Sequence, residues 1–426
     1  MTDRIPEQLP PEQAPTGANS GSDDGAAVAL PAAGIYIHIP FCKIKCHYCD
    51  FYSLADRDEA MARFIGCLVE EIKLTGDAPR TFRFDTLYIG GGTPSLLAPR
   101  HLESLLSALQ QIADLSHLQE FTLEANPGEA PEEKLRAFRG LGVNRLSMGF
   151  QSFDPDLLKF LGRLHGPEDC TATFDVARRV GFDNISADLM FNIPGQSLAR
   201  WQADLAALAD LQPEHISAYS LTVEKGTGLH KLVAAGEVVM PAEQTDVSMF
   251  TWARQFLPQR GYRAYEISNY ARDGRTCRHN CHYWRIEPYL GFGPSAHAFD
   301  GWRRSWNVRS LDGYMEAVES GRSPVAADEI ISPSQLHNEK LAFGLRLMEG
   351  LSVTDDLGYG SAGEFADVFG EQLGRWGDRI TLTGDRLALD AGGVLLADAI
   401  AADMFVGPAD AVPVPGLRGP KVPAGS

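Results

Sequence analysis

The run Tyr36-Ile-His-Ile-Pro-Phe-Cys42-Lys-Ile-Lys-Cys46-His-Tyr-Cys49-Asp-Phe51 sets three thiols on a short loop directly behind an apolar, strand-like segment. The spacing is C-x3-C-x2-C. Three close thiolates can hold three irons of a cubane iron–sulfur cluster, which ordinarily takes four cysteines; the fourth iron is then open to a small molecule. Zinc is the rival, because Cys42, Cys46, Cys49 and His47 could supply four ligands. Structural zinc sites, however, usually divide their ligands into two separated pairs. A disulfide framework is disfavoured. The chain has seven cysteines, an odd number, and no basic region followed by an apolar core marks an export signal. A reducing, cytoplasmic setting is the expectation.

The 426 residues are enough for one large domain and a smaller one. Hydrophobic residues make up 44%, sufficient for a sizeable core. Lys and Arg number 38 against 56 Asp and Glu, a formal charge of −18. That balance excludes general nucleic-acid binding, which needs a basic surface. No uninterrupted apolar stretch reaches about 18 residues, so no membrane span is expected. Residues 1–33 and 407–426 are rich in Pro, Ala and Gly without an apolar period, and read as disordered tails.

From residue 34 to about 220 the chain alternates. Apolar runs read as buried strands at Ile35–Ile39, Thr86–Ile89, Phe121–Glu124, Arg145–Met148, Ile185–Leu189 and His215–Tyr219. Helical periodicity lies between them, at Met61–Leu74, Leu102–Ile112, Glu132–Leu141, Cys170–Val180 and Trp201–Leu211. Near-continuous apolar strands alternating with helices predict a parallel sheet covered by helices. Six such units predict an α/β fold of the TIM type, a partial (β/α)6 barrel, whose site lies at the C-terminal ends of the strands. Each strand does lead into polar or glycine-rich residues: the cysteines, Gly90-Gly91-Gly92-Thr93, Glu124-Ala-Asn126, Gly149-Phe-Gln151, Asp188, and Ser220 onward. Any one of these is readily a turn or a cap; six on one rim are not. An amphipathic helix is predicted over Pro241–Pro258, and Tyr289–His297 reads as a glycine-rich turn. The barrel with its extension is placed at 34–330. A small, mostly helical accessory domain with one hairpin, Ile380–Leu382 and Leu387–Leu389, is placed at 331–406.

With these residues in place the chain resembles the radical S-adenosylmethionine (SAM) superfamily. More narrowly, it resembles the branch that holds the oxygen-independent coproporphyrinogen III oxidase and its heme-chaperone relative. The likeness spans about 34–400 and rests on IYIHIPFC, GGGTPS, the ExNP run, GFQSF, DLMFNIPGQ, YEISNYA and HNxxYW in that order. It implies a [4Fe–4S] cluster on Cys42, Cys46 and Cys49, with SAM chelating the open iron. It implies that Gly91, Gly92 and Thr93 lie along the methionyl part of SAM. Glu124, Gln151, Arg163 and Asp188 match positions that hold its amine, carboxylate and ribose, and Tyr36 matches a tyrosine beside the cluster. In the family, one electron from the cluster cleaves SAM to methionine and a 5′-deoxyadenosyl radical; the protein supplies ligation, orientation and water exclusion.

Two functions in that branch compete: oxidative decarboxylation of coproporphyrinogen III, and binding and delivery of heme. The oxidase pattern carries a further cysteine where this chain has Phe51, and a longer structured N-terminal extension. The run His279-Asn-x-x-Tyr283-Trp284 resembles a motif associated with heme. Histidine is a natural axial ligand and aromatic neighbours suit a macrocycle. These features favour the chaperone, with His279 as the expected heme ligand and His282, His297 or a cysteine as alternatives. A third reading, another radical SAM enzyme such as a methyltransferase, fits the intact HNxxYW run less well. The resemblance points to heme-accepting proteins, respiratory ones among them, as partners. It leaves room for peripheral membrane association and a homodimer.

Overall fold

The computed structural model describes residues 30–76 and 78–408. The tails expected at 1–33 and 407–426 therefore lie almost wholly outside the described residues, although the first strand already begins at Ala32.

Six strands pair in parallel in chain order: β1 (Ala32–Ile39), β2 (Arg83–Gly91), β3 (Glu120–Ala125), β4 (Arg145–Gln151), β5 (Ile185–Phe191) and β6 (His215–Ser220). The crossovers carry α1 (Met61–Leu74), α2 (Pro99–Ile112), α3 (Glu132–Gly140), α4 (Pro155–Leu161), α5 (Pro167–Arg179) and α6 (Leu198–Leu211). Chemistry at the helix starts fits their positions: Asp154 caps α4 and Ser197 caps α6 through their side-chain oxygens. Along β1 the side chains alternate. Ile35, Ile37 and Ile39 are fully buried in the core, and Tyr36 and His38 point to the opposite face. Each such buried isoleucine contributes about 1.5–3 kcal/mol.

The sheet does not close. The outer edge of β6 is taken by an antiparallel strand at Asn269–Ala271, and that of β1 by a parallel one at Tyr289–Phe292. Arg263–Ala264 pairs outside the former, and beyond the latter His297–Phe299, Arg303–Asn307 and Val325–Ile330 continue antiparallel, making twelve strands. The segment read as a glycine-rich turn thus begins as a strand. Gly291 is demanded by packing, since a Cβ there would lie 1.8 Å from the carbonyl oxygen of His297. The predicted helix at Pro241–Pro258 forms over Glu243–Gln259.

After Ile330 the chain builds a second apolar core around Leu341, Val353, Leu357, Phe365 and Ile400. Helices Pro333–Gly344, Ala362–Trp376 and Ala397–Asp403 surround a small three-stranded sheet that contains the expected hairpin, Ile380–Thr383 with Arg386–Leu389. This unit is tied back to the larger one. Met348 donates its N–H to the Tyr265 carbonyl at 2.9 Å, and Phe343 stacks on Trp284. Among the described residues no helix is long and apolar enough to cross a membrane.

Candidate functional site

The cysteine loop hangs from the C-terminal end of β1 and is stapled at its base. Cys42 donates its N–H to Leu54 O at 2.9 Å, and Leu54 returns its own to Pro40 O at 2.7 Å. Phe41 anchors this hinge in the core, edge-on to Phe64. The glycine run after β2 lies against the same hinge, with Gly92 N–H on Ile39 O and Thr93 N–H on Phe41 O. Two glycines are required there. Gly91 has φ +112°, and a Cβ on Gly92 would come within 2.5 Å of Phe41 O.

Cys42, Cys46 and Cys49 line one cavity of about 490 Å³ together with Gly91, Gly92, Thr93, Glu124, Gln151, Arg163 and Asp188. Ten positions, drawn from the segments at and after five strands, β1 to β5, converge there, although they are scattered over the first half of the sequence. All seven cysteines are free. Thr93 Oγ1 lies 3.5 Å from Cys42 Sγ, and the Arg163 guanidinium 3.8 Å from Cys46 Sγ. Arg163 is fixed by Asn126 Oδ1 at 2.5 Å and Gly149 O at 2.9 Å. Burial pushes the thiols of Cys42 and Cys49 up, and each feels the neighbouring cysteines as further repulsion. A metal cation between them would offset that cost and favour the thiolate forms.

Among the described residues no three His, Cys, Asp or Glu side chains converge as a single metal ion would need. His47 gives its Nε2 to the Phe160 carbonyl. The absence of a converging set disfavours a single zinc ion. A multi-iron cluster spreads its cysteines around a larger body and escapes that constraint. The donor set therefore fits a cluster with SAM beside it.

The floor of the cavity is acidic. Glu124 accepts from the Tyr88 hydroxyl at 2.8 Å and from Gly91 N–H at 3.0 Å. Burial nevertheless pushes its carboxyl up to about 7, and that of Asp188 up to about 6. Buried carboxyls held this high are poised to pair with an incoming cation. Gln151 sits at φ +68°, a conformation rare for a residue with a side chain, just past an irregularity in β4 between Gly149 and Gln151. Backbone in that region collects at functional positions.

Tyr36 and His279 are not in this lining. Tyr36 lies on the neighbouring face of β1, its hydroxyl 2.9 Å from His38 Nδ1. His279 belongs to a short helix, Arg278–Trp284, whose first N–H groups are capped by Glu120 at the start of β3. Its ring is 1% exposed. It is bonded on both sides, Nδ1 to Thr86 Oγ1 and Nε2 to the Tyr283 hydroxyl, each at 2.9 Å. The expected heme ligand is thus a packed residue here, with no nitrogen facing a ligand. Of the alternatives, His282 is clamped between Asp85 at 2.7 Å and Glu287 at 2.5 Å, and His297 is exposed.

Tyr88 and Arg145 also line the cavity without having been singled out in the sequence, whereas Asn126 lies on the rim where the strand-end rule put it. Arg145 is the most telling, a cation 2% exposed whose Nε has no hydrogen-bond partner. Its only signal was a charge opening an otherwise apolar strand.

The pattern of the Radical SAM superfamily matches residues 36–208. The chain is 36% identical over 339 residues to the heme chaperone HemW of Bacillus subtilis, covering 79% of this chain and 87% of that one. It is 35% identical over 373 residues to heme chaperone HemW of Mycobacterium tuberculosis, covering 86% and 93%. Among solved structures it is similar to coproporphyrinogen III oxidase (HemN) of Escherichia coli, with TM-score 0.75, 22% identity, and coverage of 89% and 91%; that likeness speaks for the fold. Site geometry and sequence relatives agree: the chain belongs to the radical SAM superfamily and, within it, to the family of the heme chaperone HemW.

Proposed function

We propose that the protein is a heme chaperone built on a radical SAM scaffold. On this reading it carries a [4Fe–4S] cluster on Cys42, Cys46 and Cys49, binds SAM in the adjoining cavity, and hands heme to acceptor proteins in the cytoplasm. The observation that carries it is the 36% identity, over most of both chains, to a protein named as a heme chaperone. Phe51 supports the same reading, since it stands where the oxidase pattern has a cysteine.

Glu124 would pair with the amine of SAM, and Gly91, Gly92 and Thr93 would offer it close backbone. Gln151, Arg163 and Asp188 would hold its polar ends, and Tyr36 would back the cluster. The bound cofactors would supply the electron and the sulfonium; the chain contributes binding, orientation and a dry wall.

The test is an anaerobic preparation assayed in parallel for hemin binding and for coproporphyrinogen III turnover with SAM and a reductant. Stable hemin binding, with no protoporphyrinogen formed, is expected. Turnover would make the protein an oxidase. Replacing Cys42, Cys46 or Cys49 by Ala should remove iron and sulfide together, whereas stoichiometric zinc without sulfide would sink the cluster assignment.

A further inference from the structure

A second cavity, of about 410 Å³, lies on the inner face of β1 beside the cysteine loop. Its walls are aromatic: Tyr36, Phe51, Tyr52, Tyr283 and Tyr289 all contribute. Tyr283 and Tyr289 meet edge to face at 4.8 Å, presenting a rigid corner. Asp50 and Phe51 line both cavities, so an occupant of the second would lie directly against the loop that carries the cysteines.

We propose that this second cavity is the seat of the heme, with His297 as its axial ligand. The proposal rests on the chaperone reading given above and adds the place and the ligand. Flat aromatic walls suit the face of a planar macrocycle. Such a ligand also needs an available imidazole and a cation for its carboxylates.

The histidines sort themselves by their bonds. His38 lines the cavity, but Tyr36 OH and the Tyr52 carbonyl, at 2.9 and 2.8 Å, occupy its two nitrogens. His279 and His282 are held in the same way. His297 lines the cavity, is exposed, and its ring forms no hydrogen bond among the described residues. Its ring is braced by stacking on Trp306, centroids 5.9 Å apart and 30° between planes. Partial burial and the nearby Arg304 lower its pKa, which favours the neutral ring that binds iron.

The cation is Arg309. It lines the same cavity, sits 5.8 Å above the Tyr52 ring and forms no ion pair among the described residues. Arg304, by contrast, is already bound to Glu339 and Glu329. The carboxylate at the other mouth, Asp50, disfavours the opposite orientation, with the propionates toward the cysteine loop. His279 then has a part in heme binding without touching iron. It is a positioning residue that holds the hydroxyl of Tyr283, and so one wall of the seat.

The test uses the full chain with its cluster reconstituted, titrated anaerobically with hemin. Absence of binding by the wild type would overturn the chaperone reading itself. If the wild type binds, His297→Ala should weaken binding roughly tenfold or more. It should also change the Soret and electron paramagnetic resonance signals, and added imidazole should shift the Soret band back toward its wild-type position. Arg309→Glu should weaken binding by about tenfold with the spectrum unchanged. Both side chains are exposed, and unchanged iron content and melting midpoint would exclude misfolding. Wild-type affinity and spectrum in His297→Ala would overturn the proposal whatever Arg309→Glu does.

Discussion

Glu124 is where protonation and ligand binding compete. Burial raises its carboxyl from 4.5 to about 7, so near neutrality a good part of it is uncharged and cannot pair with an amine. Binding a cation must expel that proton. SAM affinity should therefore rise with pH, by up to about tenfold from pH 6 to pH 7.5, and then level off. The stability of the free protein moves the other way. Between 4.5 and about 7 the folded state holds a proton that the unfolded chain has lost, so stability falls as pH rises through that window. Glu124→Gln should flatten both curves; equilibrium dialysis at three pH values would show it, and an undiminished slope in the variant would refute the assignment. Gly92 tests the hinge. With a Cβ 2.5 Å from Phe41 O, Gly92→Ala should cost about 1–3 kcal/mol and lower iron per chain. At this scale the sequence was partly legible. Glu124, Gln151 and Asp188 could be found because strand ends in such folds point at the site. Arg145 could not, because a charge opening a strand looks like an ordinary exposed end, and only the sheet's curvature buries it.

Elements are held together by one buried carboxylate in α1. Glu71 accepts from Tyr314 OH at 2.6 Å, Gly293 N–H at 2.8 Å and Asn307 Nδ2 at 2.5 Å, which joins α1 to the strands that extend the sheet past β1. Glu71→Ala would strand the Tyr314 hydroxyl and the Gly293 N–H, and leave Asn307 Nδ2 with the Gly293 carbonyl alone. It should destabilise the protein by about 3 kcal/mol or more in urea unfolding, whereas a loss under about 1 kcal/mol would show that the extension is anchored elsewhere. The six parallel strands were readable because both their faces are covered, so their apolar runs are nearly continuous. The extension was not. Val325–Ile330 is mostly exposed and carries two acids. Tyr289–Phe292 contains the glycine that lets His297 approach, and a glycine in so short a run reads as a turn.

Among the described residues the two larger apolar cores are joined through Tyr265, Trp284 and Phe343. The helices and the hairpin of the second core were legible in the sequence from their own periodicity. The outer edge of β1 is covered by Tyr289–Phe292, a pairing that spans some 255 residues, as between Gly34 and Tyr289. A ribosome therefore releases all six parallel strands before the one that shields the first. During synthesis the edge of β1 is an open template for another chain, and closing so long a loop is slow. A chain truncated after Trp284 should keep much of its helix but associate, visible as light scattering at micromolar concentration; a monomeric, cooperatively unfolding fragment would refute this. Among the described strands, the one that carries the cysteine loop is thus made before the other eleven of its sheet, and its outer edge stays bare until the second half of the chain arrives.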